Sequence, residues 1–198
     1  MRNKPKCIIV TGKPGSGKTT FSKKLGSRLW MPVISRDEIK EGYVNTYGVK
    51  HELLPADTNR IVTGFFFEIV NRYLENKVSV IIEAAFQHKI WEPPIAEIAE
   101  IANTFIIVCA VDDETAARRH LQRGLDDPGR EFYHGDKRIE IYKATGVIAP
   151  ATQYEAPHFN LPTVHVSTDG EYSPALDEII EKIHQQKPRQ FARDDAAR

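Results

Sequence analysis

Between Gly12 and Thr19 the chain reads Gly-Lys-Pro-Gly-Ser-Gly-Lys-Thr, a glycine-punctuated loop that ends in a lysine and a hydroxyl residue. These residue types at this spacing do phosphate chemistry. The glycines let the backbone curl until successive N–H groups point inward at an anion, and the lysine reaches the outer phosphate oxygens of a nucleoside triphosphate. The hydroxyl that follows is a magnesium ligand in this pattern, and a helix starting there adds its positive end. The loop thus names Gly12, Lys13, Pro14, Gly15, Ser16, Gly17, Lys18, Thr19 and Thr20 as the residues that hold ATP, with Thr19 on Mg2+ and Lys18 also serving phosphoryl transfer.

Other charged residues stand where a transfer reaction would use them. Asp37 follows the apolar run that ends at Ser35; it is either an acceptor-side base or the cap of a helix beginning near Glu38. Glu83 ends the run Val80-Ile81-Ile82, and a carboxylate at the C-terminal end of a central parallel strand lies where such sheets bind ligands. The alternative is a cap on the next helix. Phe86 and His88 follow in the same loop and are candidates to line an acceptor pocket. Arg119, Arg123 and His134 lie in a polar, glycine-broken stretch, where arginines on a closing segment would neutralise charge during transfer. The bland reading of Arg118, Arg119 and Arg123 is the solvated face of a helix.

These residues need elements to position them. Five short apolar runs, at 7–11, 32–35, 78–83, 104–111 and 163–167, read as strands, and the first ends where the glycine loop begins. A helix is expected at 19–29, directly after the loop. Another is expected at 57–75, where Ile61, Phe65, Ile69, Tyr73 and Val62, Phe66, Val70, Leu74 repeat every four residues and Asp57 or Thr58 stands ready as cap. Near-continuous apolar strands alternating with helices predict a parallel sheet covered on both faces. The fold class is therefore α/β: a five-stranded parallel sheet in a three-layer P-loop fold. Residues 118–150, broken by Gly124, Gly129, Gly135 and Gly146, read as a mobile lid that bends at Gly124.

The bulk composition narrows the function. Lysine plus arginine equals aspartate plus glutamate, 27 each in 198 residues, so no global basic field draws the chain onto nucleic acid or an anionic membrane. One domain, 1–186, is expected, followed by a disordered tail at 187–198. Cys7 and Cys109 sit inside apolar runs and read as core thiols of a cytoplasmic protein, and no apolar stretch has the length of a membrane helix. The Asn-Lys-x-Asp guanine reader is missing, since Asn76-Lys77 continues Val78-Ser79, and Asp126-Asp127-Pro128-Gly129 lies in the lid instead of after a strand. A GTPase reading is therefore set aside.

The segment from Cys7 to Lys40, with Ile34-Ser35-Arg36-Asp37-Glu38-Ile39-Lys40 after its loop, resembles the kinase domain of phage polynucleotide 5′-kinase and the wider group of small P-loop kinases that includes the zeta toxins and chloramphenicol phosphotransferase. The resemblance implies that Asp37 is the general base and that Lys40 helps to hold the acceptor's phosphate, with Arg36 beside Asp37 on the acceptor side. It also implies that Arg119 and Arg123 are lid arginines, Arg123 engaging the donor, and that Glu83 serves the magnesium shell, directly or through water, or the acceptor; in the lid itself His134, with Gly135 and Asp136, is a candidate to touch the acceptor. The expected activity is transfer of the γ-phosphoryl group of ATP to a hydroxyl of a small molecule. A polynucleotide 5′-hydroxyl kinase and a nucleotide-dependent switch that controls a partner are the alternatives.

Overall fold

The computed structural model describes residues 4–86 and 88–185. The tail expected at 187–198 and the side chain of His88 lie outside what is described. Five strands, β1 (Lys6–Thr11), β2 (Val33–Ser35), β3 (Val80–Glu83), β4 (Asn103–Ala110) and β5 (Thr163–Ser167), form one sheet in the order β2-β3-β1-β4-β5. Every pairing is parallel. All five fall on the expected runs; β1, β3 and β4, buried on both faces, are apolar at nearly every position, whereas β5 stands at the edge with Val166 buried.

Alternation along β1 sorts the core into two layers. Cys7 and Ile9 face one side, with Phe66, Val70 and Leu74 of α3 (Thr58–Glu75) and Trp91, Ile95 and Ile98 of α4 (His88–Ile101). Ile8 and Val10 face the other, with Phe21 and Leu25 of α1 (Lys18–Leu29) and Ile179 and Ile183 of α8 (Leu176–Gln185). Both cysteines are free and buried, and burial pushes their thiols up to about 12. In α3 the stripe Val62, Phe66, Val70, Leu74 is buried, whereas Phe65, Ile69 and Tyr73 remain exposed. Neither expected side-chain cap of α3 forms. Asp57 takes the cap position but its carboxylate accepts from Arg60, and the Thr58 hydroxyl donates to the Pro55 carbonyl.

Register brings three strand ends to one level. Glu83 pairs with Val10 of β1 and with Ser35 of β2, so the glycine loop after β1, the turn into α2 (Arg36–Tyr47) and the end of β3 share the C-terminal edge of the sheet. This is the edge at which open α/β sheets bind ligands.

The stretch expected as a lid from 118 onward is in its first third a packed helix. α5 (Asp113–Asp126) is capped by the Asp112 carboxylate, which accepts from Thr115 N at 2.8 Å, and it buries Leu121 and Gly124. Gly124 is no bend: its absent side chain admits Ile139 of α7 (Arg138–Thr145), and a Cβ there would meet Ile139 Cδ1 at 3.0 Å. The chain turns instead at Asp127–Gly129, where the Asp127 carboxylate accepts from Gly129 N, and enters α6 (Arg130–His134). Among the described residues no helix is long and apolar enough to cross a membrane.

Candidate active site

The glycine loop adopts conformations that its glycines alone make cheap. Gly15 and Gly17 have φ of 84° and 78°, in the left-handed region that L side chains avoid. At Gly15 the space is closed as well, since a Cβ would fall 2.1 Å from the carbonyl oxygen of Ala116 at the start of α5. The loop is further pinned by Thr168, whose hydroxyl donates to the Ser16 carbonyl at 2.8 Å. Gly17 caps α1, so the helix N-terminus opens onto the loop. Lys13 turns away and pairs with Asp113. The Ser16 hydroxyl is buried and has no hydrogen-bond partner among the described residues, as expected of a cradle whose polar groups await an anion.

Lys18 is buried, with its ammonium 3.9 Å from Glu83 Oε1, while Glu83 Oε2 accepts from the Ser35 hydroxyl at 2.9 Å. Burial raises the Glu83 carboxyl above the ordinary range despite the opposing pull of Lys18. Its Oε2 is thus held from β2 while Oε1 faces the Lys18 ammonium.

Asp37 sits in the first turn of α2, half-buried. Burial raises its carboxyl, but His134, Lys18, Arg36 and Lys40 together offset this and hold it below the usual carboxylate value. It is ionised and faces a cavity of about 770 Å3 that is also lined by Gly15, Gly17, Lys18, Thr19 and Thr20. Lys40 lines the same cavity, and so do Arg119 and Arg123 of α5 and His134 of α6. Arg119 is held by Thr168, donating to its carbonyl at 3.1 Å and to its hydroxyl at 3.3 Å. His134 Nε2 lies 2.8 Å from Glu41 Oε1.

Arg36 is the expected acceptor contact that the structure moves elsewhere. Its guanidinium donates to the Asn59 carbonyl and side chain and to the Thr63 hydroxyl on α3, lies 3.6 Å from Asp37, and does not line the cavity. It is a strut between α2 and α3 beside the carboxylate.

Arg130, Arg138 and His120 are cavity residues that carried no local signal in the sequence. Arg130 lines the cavity from α6. Arg138 lines it from α7 while donating to the carbonyls of Ala149 and Pro150 and to the Thr152 hydroxyl. His120 and Asp136, 2.9 Å apart, link α5 to the segment between α6 and α7. Tyr154 donates to or accepts from the Thr11 hydroxyl at 3.0 Å, just before the glycine loop.

Solved structures share this fold. A proposed kinase from Chloroflexus aurantiacus superposes with a TM-score of 0.75 at 20% identity over 95% of this chain and 100% of its own. The APS kinase CysC of Mycobacterium tuberculosis, in complex with AMPPNP and APS, gives 0.60 at 16% identity over 92% and 99%. A chain of the Pnkp1/Rnl/Hen1 RNA repair complex gives 0.51 at 19% identity over 81% of this chain and 51% of its own. At these identities the likeness is one of fold, the P-loop NTPase fold expected from the loop and strands. No curated protein sequence matches the chain. The AAA domain family AAA_33 matches residues 7–145, which run from β1 through the loop, Asp37 and Glu83 to the end of α7. The chain belongs to the AAA_33 family of AAA domains.

Proposed function

We propose that the protein is a kinase that binds ATP with magnesium in the glycine loop and transfers the γ-phosphoryl group to a hydroxyl of a small-molecule acceptor. The observation that carries this reading is the single cavity in which Lys18 and Thr19, on the phosphate side, share walls with the ionised Asp37 on the other. Loop N–H groups and Lys18 hold the β- and γ-phosphates, and Arg119 and Arg123 approach from α5. Magnesium, when bound, supplies charge to the β- and γ-oxygens, and it needs few protein ligands because phosphates and water complete its shell. The Thr19 hydroxyl, with Glu83 behind it, fits that demand.

Asp37 accepts the proton of the acceptor hydroxyl as its oxygen bonds to the γ-phosphorus, and the bond from that phosphorus to the β–γ bridging oxygen breaks to release ADP. A loose transition state asks for orientation and proton acceptance more than for a strong base, so a carboxylate held below its ordinary value is adequate. Arg36, fixed to α3, keeps the start of α2 in place.

The test is ATP turnover with and without candidate alcohols, oligonucleotides with a free 5′-hydroxyl included. A kinase shows turnover that rises with one class of acceptor and a phosphorylated product. Slow hydrolysis that no acceptor stimulates would favour the switch reading.

A further inference from the structure

We propose that residues 149–156 form a strap that walls the acceptor side of the cavity. In it the Thr152 hydroxyl donates to a second oxygen of the acceptor, and Tyr154 is the positioning residue that moors the strap to Thr11. This rests on the kinase reading and names the acceptor class as an alcohol with a further oxygen, the pattern of a polyol.

Between α7 and β5, residues 147–162 form neither helix nor strand. Irregular chain of that length inside a compact domain usually serves function. The segment is nevertheless packed: Tyr154, Ala156, Phe159 and Leu161 lie against the core layer that holds Ile34, Phe86 and Trp91, and Ile39 of α2 joins the same layer. The helix that carries Lys18 and Thr19 covers the opposite face of the sheet. The strap therefore meets the cavity from the side of α2 and of the turn after β3, where Asp37 and Ala85 line it.

Two moorings flank Thr152, which lines the cavity between them. On one side Arg138 donates to the carbonyls of Ala149 at 3.1 Å and Pro150 at 2.7 Å, and to the Thr152 hydroxyl at 2.8 Å. On the other, the Tyr154 hydroxyl meets Thr11 Oγ1 at 3.0 Å, and that oxygen accepts from Phe86 N at 3.2 Å. One hydroxyl thus joins the strap to the residue before Gly12 and to the turn after β3. Burial pushes the Tyr154 phenol up to about 12, so it keeps its proton across the working range. Thr152 accepts from Arg138 with its oxygen, and its own proton remains to be given to an oxygen of the acceptor. Asp37 takes the attacked hydroxyl, so the oxygen at Thr152 is a different one.

The experiment uses the whole chain with magnesium and ATP labelled at the γ-phosphate, and follows the label into glycerol, D-ribose, propan-1-ol and water. Wild type should favour glycerol or ribose over propan-1-ol. Thr152→Val should narrow that preference by about threefold to tenfold, the range of one neutral hydrogen bond, and Thr152→Ser should restore it. Tyr154→Phe keeps the ring and loses the mooring. It should raise the KM of the same polyol by about the same factor and send a larger share of the label to water, with AMPPNP affinity unchanged and melting within a few degrees of wild type. Equal preference in wild type and Thr152→Val, or propan-1-ol used as well as glycerol, overturns the contact; a wild-type KM and water share in Tyr154→Phe overturns the mooring. If none of the three alcohols is labelled, hydrolysis decides: it should rise about threefold or more in Tyr154→Phe, and an unchanged rate overturns the strap. No turnover at all by wild type counts against the kinase reading. Amide exchange of residues 149–156 then reports on the strap alone: Tyr154→Phe should speed it by about tenfold, and equal exchange overturns the inference.

Discussion

The Lys18 ammonium lies 3.9 Å from the Glu83 carboxylate, and Ser35 holds that carboxylate from the neighbouring strand. One buried acid thus ties the glycine loop to the ends of β2 and β3, the elements that carry the two sides of the proposed reaction. The arrangement is poised: the lysine has a counter-ion before nucleotide arrives, and at 3.9 Å it is free to turn toward phosphate.

Lys18→Ala and Thr19→Ala should each cut ATP-dependent turnover by about a thousandfold or more, because their side chains act on phosphate and metal. Lys18→Ala also leaves Glu83 without its cation, so the folded-state pKa of Glu83, already raised, rises further. A raised carboxyl pKa means that folding is favoured with the proton bound. The variant's melting temperature should therefore approach wild type in acid and fall behind as pH rises through and above the ordinary carboxylate range. Thermal melts from acid to neutral pH measure this, and a deficit that shrinks with rising pH would contradict it.

Gly15→Ala should abolish tight nucleotide binding without removing any side-chain contact. The added methyl has no room beside the Ala116 carbonyl and sits on a positive φ, at a strain of about 1–3 kcal/mol or more. Nucleotide titration of the folded variant checks it. Native affinity would mean that the loop tolerates a shift against α5.

Much of this was legible in the sequence because it is local. The loop is a contiguous motif, the five strands are contiguous apolar runs, and Glu83 ends one of them while Asp37 comes two residues after another. What stayed hidden depends on distant packing. Arg130 and Arg138 become cavity residues only because α6 and α7 fold back over α2 and the 149–152 segment. Thr168 reaches the loop across 152 residues of chain. The same holds for Arg36, since Asn59 and Thr63, which hold its guanidinium, lie on another helix. Gly124 read as a hinge because nothing local announces Ile139 behind it.

For an anionic acceptor, kcat/KM should fall as pH rises above about 8, where Lys40 loses its proton in the free enzyme. The groups acting on Lys40 are Arg36, which favours the neutral form, and Asp37 and Glu41, which favour the charged one. No matching fall on the acid side should come from Asp37 until pH drops below the usual carboxylate range, because its carboxyl is held low. Rates from pH 5 to 10 in wild type and Lys40→Arg decide this. A wild-type profile flat through pH 8, or an unchanged fall in the arginine variant, would separate the effect from Lys40.

Residues 127–150 should be cleaved readily by protease in the free protein and protected by AMPPNP with magnesium. This segment holds the two short helices α6 and α7, neither with a buried residue, and its arginines Arg130 and Arg138 line the phosphate-facing cavity. Cleavage in α5 should be slow in both states, since that helix packs Leu121 and Gly124. Equal rates with and without nucleotide would make the segment an ordinary surface element.

Single-turnover phosphoryl transfer by Asp37→Asn is the most direct test of the account. Asparagine keeps the shape of the side chain and serves in the first turn of a helix nearly as well, but it does not take up the proton. If Asp37 is the base, the variant binds ATP with near-native affinity, melts within a few degrees of wild type and transfers about 100-fold more slowly or worse. Transfer at a near-normal rate by a folded Asp37→Asn protein would contradict the assignment and move the role to Glu83.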